Sequence, residues 1–94
     1  MSAEQLAAML ANLKIDLGIT TGSYDARLTN YLEAAAVFIT EQGATLDYDS
    51  VQDQQLIVMY AAWTWRKRDT GEGMPRMLRY ALNNRVFSRK MQVT

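Results

Sequence analysis

Three groups of residues have types and spacing that could do chemistry. Arg66-Lys67-Arg68 is a run of cations able to meet phosphate. Asp47, Asp49 and Asp53 offer oxygen donors of the kind that ligate calcium or magnesium. Trp63 and Trp65 offer flat faces for stacking. Each has a plainer reading beside it. Cations in the last turn of a helix complement the carbonyl end of its dipole. The aspartates lack the glycine and terminal glutamate of an EF-hand loop and read as solvated helix caps. The two tryptophans point about 200° apart on a helix, so they cannot form one platform. Trp63 reads as core, and Trp65 as core or an interface anchor. Gly71 and Gly73 fit neither phosphate-loop spacing. Histidine and cysteine are absent, which removes the commonest general base, the commonest metal ligand and all thiolate chemistry. No carboxylate pair suited to a catalytic cleft is visible. No cofactor, metal site or enzymatic activity is expected.

The elements that carry these residues read as four helices and no sheet, a small all-α bundle. The first spans 3–17: Ser2 and Gln5 form a capping-box pattern, and Leu6, Met9, Leu10, Leu13 and Leu17 make one stripe ahead of Gly18. The second spans 25–42, with Ser23 or Asp25 as cap. Leu28, Tyr31, Leu32, Ala35, Phe38 and Ile39 face inward, while Glu33 and Glu41 face out; Val37 alone breaks the pattern. The third spans 51–69, capped from Asp49 or Ser50. From Leu56 to Trp63 it is apolar at every azimuth, so it should be buried all round. Its uncharged run, Gln54 to Trp65, is shorter than the roughly twenty residues a bilayer needs, so no membrane is expected as a partner. The fourth starts at Pro75, a favoured first helical position, and ends near Ser88. Leu78, Ala81 and Leu82 form its core stripe, and Tyr80 and Phe87 form a second apolar strip. Residues 89–94 read as a loose, flexible tail.

Ninety-four residues make one domain, 1–94, with room for a single core. The N-terminus lacks the basic opening of a signal peptide, which predicts a cytosolic start. Net charge is zero but unevenly placed. Residues 1–53 hold eight acids and two bases; residues 54–94 hold eight bases and two acids. In one reading the halves cancel within the subunit. In the other, an acidic face meets a basic face on the next copy, a head-to-tail polarity that can close into a ring. On that reading Arg66, Arg68, Arg76 and Arg79 face Glu33, Glu41, Asp47 and Asp49. The surplus apolar and basic positions Trp65, Tyr80, Phe87, Arg89, Lys90 and Met91 are further interface candidates. A rival function is a small nucleic-acid-binding regulator using the basic second half. Against it, a dedicated DNA binder is basic overall.

The order of several short segments resembles one family. Leu13 to Ile19 (LKIDLGI), Tyr24-Asp25, Leu28 and Tyr31 to Ala36 (YLEAAA) look like the opening of the head–tail connector proteins of tailed bacteriophages. Tyr60-Ala61-Ala62-Trp63, Arg66 to Asp69, the Gly71 loop, Met74-Pro75, Leu78 to Phe87 (LRYALNNRVF) and Lys90 resemble the same family. The resemblance implies an all-helical, non-enzymatic adaptor that assembles into a ring, typically of about twelve copies, under the portal vertex. Portal protein would bind one face, and the next connector or a tail-completion protein the other. The genome would pass through the lumen, where non-specific contact with DNA is expected. The protein would reside at the virion's head–tail junction, and in host cytoplasm before assembly.

Overall fold

A computed structural model describes the backbone of residues 1–93 and the side chains of residues 1–87. It contains helices α1 (Ala3–Leu17), α2 (Asp25–Glu41), α3 (Val51–Thr70) and α4 (Arg76–Val93), and no strand among the described residues.

Local chemistry sets most of the boundaries. The Ser2 hydroxyl accepts from the Gln5 amide at 3.1 Å, and the Gln5 side chain accepts from the Ser2 amide at 2.7 Å. This reciprocal box satisfies two donors that the first turn would leave orphaned. α1 stops at Gly18 and α3 at Gly71, whose φ of 70° and 67° lie in the left-handed region that glycine enters without a Cβ clash. Ser50 caps α3 by accepting from the Asp53 amide, which decides between the two expected caps. For α2 neither expected cap is used. Tyr24 occupies the N-cap position with no side-chain hydrogen bond. Asp25 instead enters the first turn and meets Lys14 of α1 at 2.9 Å. The carboxylate still complements the helix N-terminus there while tying α1 to α2. α4 continues to Val93 instead of stopping near Ser88. No glycine or proline follows Pro75 to end it, and Arg89-Lys90-Met91-Gln92 are good helix formers. The tail expectation for the side chains of Arg89, Lys90 and Met91 lies outside the described residues.

α3 is the axis of the domain. α1 and α2 pack on it and on each other, and α4 packs on it. Leu56, Ile57, Val58, Ala61, Ala62, Trp63 and Trp65 are all buried, so the all-round apolar helix is enclosed as its sequence requires. Met9 and Leu13 come in from α1, Leu28, Leu32, Ala35, Ala36 and Ile39 from α2, and Leu78 and Leu82 from α4. Leu46 and Tyr48 pack down on this core from the connection between α2 and α3. The domain is a slab of 46 × 31 × 17 Å. No described helix is long and apolar enough to cross a membrane.

Candidate interface

The charged side chains fall into two sets once the fold is known. The first set is spent inside the subunit. Asp53 is only 3% exposed. Its carboxylate accepts from the Arg85 guanidinium at 2.7 and 3.0 Å and from the Asp47 amide at 2.8 Å. Arg85 also donates to the Thr45 carbonyl. One ion pair thus fastens α4 to the start of α3 and to the preceding loop. Burial pushes the Asp53 carboxyl up, but the hydrogen bonds from Arg85 and the Asp47 amide, with the Arg85 charge, outweigh burial and hold it below its ordinary value. Asp53 is therefore not the solvated cap that its position in the sequence suggests. The sequence did contain a signal. Asp53 lies three and four residues before Leu56 and Ile57, and Arg85 three after Leu82, so each charge sits on an apolar stripe and requires the other.

The basic cluster at the end of α3 is exposed, but each cation lies against a group of its own chain. Arg68 lies over the Trp65 ring at 3.8 Å, and Lys67 over the Trp63 ring at 4.3 Å. Arg66 reaches Glu72 at 3.4 Å, and Arg68 reaches Asp69 at 3.8 Å. Trp65 is buried, with Tyr24 and Tyr31 meeting its ring edge-on at 5.6 and 5.3 Å. Of its two readings, core or anchor, the structure takes the core. Trp63 is core as expected and donates its indole N–H to the Glu72 carbonyl at 3.2 Å. Asp47 and Asp49 are exposed but already partnered: Asp47 accepts from the Asp49 amide in a local turn, and Asp49 accepts from the Gln5 side chain at the start of α1. Among the described residues no group of three acidic side chains is arranged to hold a metal ion.

The second set is unspent. Arg76 and Arg79 on α4, and Glu33 and Glu41 on α2, are exposed and make no ion pair or hydrogen bond through their side chains among the described residues. They flank two apolar surfaces. On α4, Met77, Tyr80 and Phe87 are 72%, 55% and 62% exposed. By the helical period Arg76, Tyr80 and Phe87 fall within about 40° of one another, so they form one ridge. On the other side an open groove of about 500 Å³ runs between the start of α1 and the outer face of α2. Met1, Leu6, Ala36 and Val37 contribute its apolar lining, and Glu33 and Glu41 its acidic rim. Val37, the residue that broke the α2 pattern, is 58% exposed there.

The family model for Phage gp6-like head-tail connector proteins matches residues 7–86. The chain belongs to this head–tail connector family. Its role is that of a structural connector of the phage virion. The match takes in most of α1, all of α2 and α3 and the first part of α4, including the Asp53–Arg85 pair and Glu33, Val37, Glu41, Arg76, Arg79 and Tyr80. Comparison with curated proteins finds no match, and comparison with solved structures finds none.

Proposed function

We propose that this connector forms a ring beneath the portal vertex, joins the capsid to the tail and lines the channel through which DNA leaves. One face of the ring docks on the portal protein, and the other receives the next connector or a tail-completion protein. The chain works by binding and has no catalytic role. The observation that carries this reading is the match to the connector family over residues 7–86. A flat subunit with unspent acid on α2 and unspent base on α4 supports it, because such a subunit can repeat head to tail. The regulator alternative has less support: the chain is neutral overall, and Arg66, Lys67 and Arg68, though exposed, lie against Glu72, Trp63 and Trp65 of the same chain. Contact with DNA in the lumen is non-specific. The test is native mass measurement of the purified chain alone and with portal protein. A closed oligomer in either sample is the expected result. A chain that stays monomeric in both, and is missing from virions, would refute the proposal.

A further inference from the structure

We propose that the outer ridge of α4 seats in the α1–α2 groove of a second copy of this chain, arginine against glutamate and aromatic ring against Val37. The inference rests on the connector reading and names the subunit contact within it.

The two surfaces belong to helices on different faces of α3. Phe38 of α2 stacks on Tyr60 at 4.6 Å, and Tyr31 meets Trp65 at 5.3 Å. Leu78 of α4 instead shares a pocket wall with Met59 and Ala62. On the α-helical period these two faces of α3 lie roughly opposite each other. The stripe of α4 that carries Arg76, Tyr80 and Phe87 points away from α3, as does the stripe of α2 that carries Glu33, Val37 and Glu41. A neighbour presenting the complementary surface can engage both.

Charge selects that neighbour. Arg76 and Arg79 are two unpaired cations beside the ridge, and Glu33 and Glu41 two unpaired anions beside the groove. A copy of the chain offers opposite charge to each surface, and the reverse arrangement sets like against like. Spacing agrees. Glu33 and Glu41 are eight residues apart, about 12 Å along α2. Tyr80 and Phe87 are seven apart, about 10 Å along α4, so the ridge is of the same order as the groove. Val37 and Ala36 leave a shallow floor between the acids, into which an aromatic ring can pack. The contact is drawn on α4, and Arg66 and Arg68, which lie against Glu72 and Trp65 of their own subunit at the end of α3, are not part of it.

The chain contains no cysteine, so introduced thiols report without background. Val37→Cys marks the groove. Asn83→Cys marks the ridge between Tyr80 and Phe87 and leaves both rings in place. Each is made singly and together, and thermal melting first establishes that each folds. Under oxidation a mixture of the two single variants should give a dimer, and neither should do so alone. The double variant should give a ladder of oligomers. Adding Arg76→Glu and Arg79→Glu to the Asn83→Cys chain should lower dimer yield roughly ten- to thirtyfold at low salt. Adding Glu33→Lys and Glu41→Lys to the Val37→Cys chain should restore it. Self-crosslinking of either single variant would indicate a two-fold contact and overturn the inference. So would rings or particles that contain the double variant but give no crosslink; the connector reading would survive that result. A chain that neither associates nor enters particles would sink both.

Discussion

Replacing Arg85 with Met probes the clamp between α3 and α4 and has a magnitude that the geometry fixes. The Asp53 carboxylate is 3% exposed and would keep only the Asp47 amide as donor. Breaking a buried pair by removing one partner costs about 3–5 kcal/mol. The Arg85 side chain is itself 26% exposed, which puts the cost at the lower end, about 3 kcal/mol at pH 7. In a domain of this size that lowers the melting temperature by on the order of 15 °C. The pH dependence supplies the sharper test. In the wild type Asp53 is held below its ordinary value. Its contribution is therefore present above about pH 4 and lost as pH falls through the folded value. In Arg85→Met burial is no longer outweighed, so the carboxyl moves above its ordinary value. The variant's deficit is then largest at neutral pH and shrinks as acid protonates the group. Urea unfolding at pH 7 and near pH 3.5 should show the deficit fall by more than half. The double variant Asp53→Leu with Arg85→Met should regain most of the loss, because no charge is left buried. A deficit below about 1 kcal/mol at pH 7, or one equal at both pH values, would refute this account of the clamp.

Other expectations follow from the core and the helix ends. Leu32→Asp should abolish cooperative melting, because it buries an unpaired charge at a fully enclosed position and the cost is comparable to the total stability. Tyr60→Asp should do the same by removing the stack on Phe38 and the edge-to-face contact with Trp63, and wild-type-like circular dichroism on heating would count against both. Gly71→Ala should cost about 1–2 kcal/mol in chemical denaturation, since φ of 67° is strained for any residue with a Cβ. Ending the chain after Ser88 should leave the melting temperature nearly unchanged and reduce incorporation into particles; a truncated chain that cannot fold would place residues 89–94 in the core.

Much of the fold was legible because its signals are local or periodic. The Ser2–Gln5 box, the glycines at 18 and 71, and the stripes of α1 and α2 each act within a turn or two of helix. The all-round apolar run of α3 needs no partner to be identified to say that it is enclosed. Family membership was legible for a related reason: it lies in the order of many weak packing and capping motifs along the chain, and the family match covers that same stretch. The end of α4 was not legible, because nothing in the sequence stops the helix and the expectation of a tail came from its position alone.

Which charges exist, and that they divide between the two halves of the chain, is written in the residue order. Which of them meet a partner within the subunit depends on how the helices pack. Asp53 and Arg85 stand 32 residues apart and meet because α4 folds back along α3. Arg66 and Arg68 read as free cations until the loop after α3 returns Glu72, and the rings of Trp63 and Trp65 lie beneath Lys67 and Arg68. Arg76, Arg79, Glu33 and Glu41 have the same chemistry but meet no such partner among the described residues. The physical reason is that an ion pair or a cation–π contact requires approach within a few ångströms. Position along the chain does not specify that distance; the packing of the helices does.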